Sequence, residues 1–237
     1  MIMGKRPLPS LLMVGTVHRD PRGKAKLLRL LQREQPSAVS VEISPYARIF
    51  RSQKAEAFRA ALRENLRSIH QEEGLPWRGI LSHSAIQGIF MLLKEPYEWR
   101  AARAYGEETG CKVQDIDMSG YSEEKLSHLS ELVSRENLHT LLSLSFPGLN
   151  EQVKNHYGRA RFLFTHPPSV WLENREMRER EFIMAEKIRG LLLQGEEGKF
   201  VHIGGWEHLL EYSDPPSLYN LLRDLHPRRV LLADGEN

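Results

Sequence analysis

The chain of 237 residues carries 33 basic and 31 acidic side chains, a net charge of +2, with 41 % hydrophobic and 27 % charged residues. That balance is ordinary for a globular protein and argues against a dedicated nucleic-acid binder, which needs a basic excess. A single cysteine, Cys111, excludes an intrachain disulfide and a Cys-rich zinc site and leads us to expect a cytoplasmic protein, and no run approaches the ~18 apolar residues of a membrane span.

Lys5 and Arg6 precede an apolar run as in a signal peptide, but Pro7 and Pro9 interrupt it and no small-residue cleavage site follows. Residues 11–17 read as a buried strand that ends abruptly at Gly15-Thr16-Val17-His18. Residues 23–35 read as a helix with Leu27, Leu28, Leu30 and Leu31 on its apolar face, and Pro36 ends it. A second strand follows over 38–43, with Glu42 near its end and Ser44-Pro45 as a helix start. Strand, helix and strand at this spacing make a βαβ unit, hence a parallel pair with a right-handed crossover.

A charged helix covers 46–70, and Gly74, Pro76 and Gly79 break it. Residues 80–94 read as one helix and 96–109 as another, the latter with Glu98, Ala101, Ala102 and Tyr105 on one face. The third strand, 111–118, finishes in Asp115-Ile116-Asp117. Residues 121–168 read as a helical insertion or lid, with helices over 122–144 and near 150–157, inside a single domain spanning 1–237. A long helix over 171–194 aligns Met177, Arg180, Met184, Ile188 and Leu191, a fourth strand runs over 200–203, a helix over 217–225 and a last strand over 229–233. This alternation predicts an α/β fold, a mostly parallel or mixed central sheet flanked by helices.

His18, Glu42 and Asp117 end strands, and His208 follows the fourth strand in Gly205-Trp206-Glu207-His208. Such endings converge on the carboxyl edge of a parallel sheet, where ligands bind. Two histidines and a carboxylate form a common divalent-metal set. Gly15 and Gly205, each three residues before a histidine, allow tight turns and close backbone approach. Glu42 has two other readings, as a general base or as a carboxylate favourable at a helix N-terminus, and the latter also applies to Glu98. Arg180 lies on a face expected to be buried and therefore needs a carboxylate, which Glu98, Asp117 or Glu42 can supply. His202, inside a strand, reads as a packed histidine.

Taken in order, these residues resemble the TraB/PrgY family, with the related Tiki proteases and the ChaN-like and GumN-like proteins. Gly15-Thr16-Val17-His18 is similar to the first family motif. Pro36 to Ile43, with Arg48 after it, resembles the proline, hydrophobic strand, Glu and trailing Arg. The stretch from Glu98 to Asp117 resembles a helical Glu followed by a strand Asp. Glu179-Arg180-Glu181 resembles the Glu-Arg-Asp helix, and Gly205 to Leu209 the second Gly-x-x-His motif. Met118 stands where the pattern has a basic residue, and the membrane segments that follow this domain in many relatives have no counterpart.

The resemblance implies an α/β fold. In the Tiki branch it implies a metal-dependent peptidase using both histidines and the glutamate; in the ChaN branch it implies haem or iron binding. The expectation is a metal-dependent hydrolase of peptide or other amide bonds. His18, Glu42 and His208 would hold a divalent metal ion, Glu42, Arg48 and Arg180 would act in catalysis, and Glu98, Asp117, Gly15 and Gly205 would support them. The alternative is a non-catalytic binding protein for a haem-like ligand, a peptide signal or another small molecule in the same pocket, again without nucleic acid or a membrane span.

Overall fold

The computed structural model describes residues 9–168, 175–194, 198–212 and 216–234. Its five strands, β1 (Ser10–Thr16), β2 (Ala38–Val41), β3 (Lys112–Asp115), β4 (Lys199–Gly205) and β5 (Arg228–Leu231), are all parallel, in the order β3-β2-β4-β1-β5. The expected α/β class is the observed one, and the sheet is wholly parallel among the described residues. Such a sheet is covered on both faces, so the central β1 and β4 are buried along nearly their whole length, while the edge strands β3 and β5 stay partly exposed.

Connection geometry decides which helices cover which face. From β1 the chain steps to β2 and then β3 in one direction across the sheet, through α1 (Gly23–Glu34), α2 (Pro45–Glu73), α3 (Trp77–Ser82), α4 (Ser84–Leu92) and α5 (Tyr97–Thr109). It returns through α6 (Ser119–Ser127), α7 (Leu129–Leu132), α8 (Arg135–Ser143), α9 (Leu149–Thr165) and α10 (Arg175–Gln194) to β4, and reaches β5 through α11 (Leu218–Leu221). Reversing direction under a right-handed crossover puts α10 and α11 on the opposite face, while α6 to α9 fold over the face that α2 covers. Accordingly Leu12, Val14, Val39, Val41, Val201 and Ile203 pack with α1, α2 and α5, whereas Leu11, Met13 and Phe200 pack with Met184, Ile188 and Leu192 of α10 and Leu218 of α11.

Several boundaries differ from the sequence reading. The helix expected over 80–94 is broken at His83, whose backbone is extended (ψ 126°) and whose Nε2 lies 3.0 Å from the Leu144 carbonyl. The stretch 122–144 forms three short helices, the last capped where Ser134 Oγ accepts from the Asn137 N–H. The piece near 150–157 is part of the 17-residue α9. Leu138, Tyr157 and Ala160 of α8 and α9 are buried in the same core as α2 and α4. The start of the helix expected over 171–194, residues 171–174, and the tail 1–8 lie outside the described residues. β2 stops at Val41 and β3 at Asp115, so Glu42 and Asp117 follow their strands, as His18 follows β1. No described helix is long and apolar enough to cross a membrane.

Candidate functional site

β4 lies between β1 and β2, so the segments leaving those three strands meet at the carboxyl edge of the sheet. Glu42 is at the centre. Its Oε2 accepts from the Gly205 N–H at 2.6 Å, and its Oε1 accepts from Arg180 Nη2 and His208 Nε2, both at 2.9 Å. His208, on a 3-10 turn after β4, also points Nδ1 at Glu181 Oε1, 2.6 Å away. A carboxylate at each nitrogen favours the imidazolium form of the ring. Burial opposes that charge, but Glu181 and Glu42 overcome it and hold the His208 pKa well above its ordinary value. Burial likewise works against the Glu42 carboxylate, yet His208, Arg180 and His18 keep its pKa well below the usual range.

His18 approaches from the other face of the sheet. Its Nδ1 lies 2.9 Å from Glu98 Oε1, which also accepts from Thr16 Oγ1 at 3.0 Å. One side of the ring opens on the cleft, and the side chain is 56 % exposed. The burial it does undergo lowers its pKa, but the hydrogen bond to Glu98 and the charges of Glu98 and Glu42 raise it to about 9. Because this ring is accessible, the contact with Glu98 rather than its burial decides the direction.

The two glycine motifs fit each other across the β1–β4 pair. A Cβ on Gly205 would lie 3.1 Å from His18 Nε2, 3.5 Å from Glu42 Oε2 and 3.6 Å from His208 Cδ2. Those three side chains therefore surround one point, kept open by the absence of a side chain on Gly205. A Cβ on Gly15 would lie 3.1 Å from the backbone and side chain of Trp206. Gly15 thus makes room for the turn that carries His208, and Gly205 makes room for His18.

Arg180 locks the α10 side. Its Nε donates to Asp117 Oδ1 at 2.9 Å and its Nη2 to Asp117 Oδ2 at 2.8 Å, a bidentate fork, while the guanidinium lies 4.0 Å from the Tyr121 ring centroid. Burial disfavours this cation, but the hydrogen bond to Asp117 and the charge of Glu42 outweigh it and raise its pKa. The carboxylate partner required by burial is thus Asp117 together with Glu42, not Glu98. His202 packs beneath the site, with Nδ1 3.0 Å from Ser40 Oγ and no hydrogen-bond partner for Nε2 among the described residues; burial pushes its pKa down to about 4.

A cavity of about 500 Å³ opens above this floor and is lined by His18, Glu42, Glu98 and Asp117. Arg48 is not part of its wall. Its Nε donates to Asp115 Oδ2 at 2.9 Å and its guanidinium lies 5.3 Å from the Trp99 ring, while Arg51, one turn further along α2, lines the cavity. Sequence reasoning did not point to Glu181, which faces His208 directly, or to Thr16, whose hydroxyl bonds the Glu98 oxygen that faces His18. Thr16 lay inside the first motif, and Glu181 was marked only by its place beside Arg180. Among the described residues no set of three His, Cys, Asp or Glu side chains stands at metal-ligand spacing, and His208 and Glu42 touch each other directly. No protein-family model matches the chain, and no curated protein or solved structure matches it either, so the chemistry of the site is read from its geometry.

Proposed function

We propose that the protein is a metal-dependent hydrolase acting on peptide or other amide bonds, with His18, Glu42 and His208 holding a divalent ion. The observation that carries this reading is the charge of the site. Glu42, Glu98, Asp117 and Glu181 are four carboxylates with side chains at most 8 % exposed, and among the described residues Arg180 is the one guanidinium bonded to any of them. Four negative charges against one positive leave a deficit that protons on both imidazoles, or a divalent cation, can largely offset. The donor chemistry also fits. Both Nδ1 atoms face carboxylates, which fixes the ring orientations and leaves His18 Nε2 beside Gly205 and His208 Nε2 against Glu42 as the nitrogens that could bind an ion. Holding an ion requires breaking the direct His208–Glu42 hydrogen bond.

When bound, a divalent ion supplies Lewis acidity, making water a usable nucleophile near neutral pH and polarising the scissile carbonyl. The protein's own groups do the rest. The Glu42 oxygen hydrogen-bonded to the Gly205 N–H stays oriented toward the cleft, and the carboxylate can take a proton from the attacking water. Asp117 and Arg180 fix the other side of Glu42 through the guanidinium fork.

The test is metal analysis of tag-free protein together with a panel of N-acylated peptides. Stoichiometric divalent metal, lost in His18→Ala, and cleavage abolished by chelation support the reading. Absence of stoichiometric metal together with unchanged ligand binding in His18→Ala refutes it. Saturable peptide or haem binding without turnover favours a binding protein in the same cleft.

A further inference from the structure

We propose that the cleft selects substrates carrying a carboxylate, recognised by Arg51 and Arg100 with Arg19, Lys24 and Lys94 around them. Every acidic residue of the cavity wall already has a positively charged partner. Asp20 pairs with Lys26 at 3.3 Å, Glu95 with Arg103 at 3.3 Å, Glu98 with His18, and both Glu42 and Asp117 with Arg180. The basic residues of the same wall do not share this arrangement. Arg19, Lys24, Arg51, Lys94 and Arg100 make no ion pair among the described residues. These five side chains leave cationic groups in the wall for a ligand's anion to pair with, beside the carboxylate-rich floor around Glu42.

Of the two half-buried arginines, Arg51 is held by neutral groups and Arg100 has an unpartnered nitrogen among the described residues. Arg51 donates to the Leu92 carbonyl at 3.3 Å and the Ala47 carbonyl at 3.2 Å, which orient the fork without neutralising it. The Nε of Arg100 is buried without a hydrogen-bond partner. Arg19 adopts a left-handed backbone (φ 70°), and its Nη1 lies 3.1 Å from where a Cβ of Gly88 would stand, so Gly88 leaves room for the guanidinium. The first turns of α1, α2 and α5 also contribute lining residues, and their dipoles add to the positive potential. Guanidinium forks match the planar geometry of a carboxylate.

Arg51, Ala47, Leu92 and Ser122 also wall a second cavity of about 480 Å³, whose lining adds Leu126, Leu129 and Leu132. An apolar group beside the carboxylate fits there, as in the last residue of a peptide with an apolar side chain. The choice of a peptide rests on the hydrolase reading above; the recognition of an anion does not.

Calorimetric titration of the full chain with N-acetyl-Ala-Ala-Leu as the free acid, with its C-terminal amide, and with N-acetyl-Ala-Glu-Leu amide tests the proposal. The free acid is expected to bind about tenfold more tightly than the amide. That preference should shrink at high salt and collapse in Arg51→Gln and Arg100→Gln, with partial retention in Arg51→Lys. The glutamyl amide tells whether a terminal or a side-chain carboxylate is recognised. Charge-selective binding in a protein that holds no metal and cleaves nothing refutes the hydrolase reading and supports this one. Equal affinity for acid and amide, or no binding of either by the unmodified protein, overturns it.

Discussion

Replacing Arg180 by Met tests the electrostatic core of the site. The guanidinium makes three hydrogen bonds of 2.8–2.9 Å to Asp117 and Glu42, and the three side chains are 5 %, 8 % and 7 % exposed. Methionine keeps much of the volume and still packs on Tyr121, so the change leaves two carboxylates buried without their cation. Breaking a buried ion pair from one side costs about 3–5 kcal/mol, a large part of the ~5–15 kcal/mol that stabilises a typical domain. At ~2–4 °C per kcal/mol for a chain of this size, Tm should fall on the order of 10 °C. Since Arg180 helps keep the Glu42 pKa low, its loss makes protonation easier, and the deficit should be smaller at pH 5 than at pH 7. Adding Asp117→Asn to the variant removes one stranded charge and should recover part of the loss. Urea unfolding followed by circular dichroism measures all three. A loss below ~1 kcal/mol, or a deficit that grows as pH falls, refutes the account.

Gly205→Ala puts a methyl group 3.1 Å from His18 Nε2 and 3.5 Å from Glu42 Oε2; equilibrium dialysis should show divalent-metal uptake abolished while circular dichroism shows the fold retained. Chelator-treated protein should be most stable near pH 6.5. His202, lowered from 6.5 to about 4, loses stability as pH falls across that interval, whereas His18, raised from 6.5 to about 9, loses its contribution as pH rises through it. Scanning Tm against pH checks this, with His202→Leu expected to flatten the acid limb and His18→Gln the alkaline limb; unchanged limbs contradict the assignment. Metal binding at pH 7 should release about two protons, one from each motif histidine, read by calorimetry in buffers of different ionisation enthalpy. No release would mean that the imidazoles are already neutral.

The fold was largely legible because the central strands of a parallel sheet buried on both faces leave apolar runs, and the segments leaving β1, β2, β3 and β4 carry polar side chains. His18, Glu42, Asp117 and His208 could be picked out on that ground. Which strands adjoin could not: the placement of β4 between β1 and β2, on which the meeting of the two histidines depends, leaves no local mark. Arg48 and Arg51 are one turn apart on a charged helix, and only the packed structure distinguishes the arginine that reaches Asp115 from the one that lines the cavity. Glu181 sits in a run of charges where a buried carboxylate looks like its exposed neighbour Glu179. The helix breaks at His83 and His128 involve residues that are not strong helix breakers, so tertiary packing determined them.

The similarity of the two Gly-x-x-His motifs conceals different work. In the β1–β4 register Gly15 pairs with Gly204 and Thr16 with Gly205, so the motifs are displaced by one residue and their histidines arrive from opposite faces of the sheet. The displacement lets each glycine clear space for the other motif. It also gives each histidine its own carboxylate, Glu98 from α5 and Glu181 from α10, while both rings contribute to the low pKa of the central Glu42. If the site takes a divalent ion as proposed, that ion and a proton on each ring would be alternative ways of offsetting the same negative charge. The carboxylates that orient the rings therefore also strengthen the competition between protons and metal: raising the imidazole pKa values improves the neutral rings as donors but makes deprotonating them more costly. Under the proposed metal reading, that coupling would tie metal occupancy to pH through Glu98 and Glu181, neither of which would need to touch the ion.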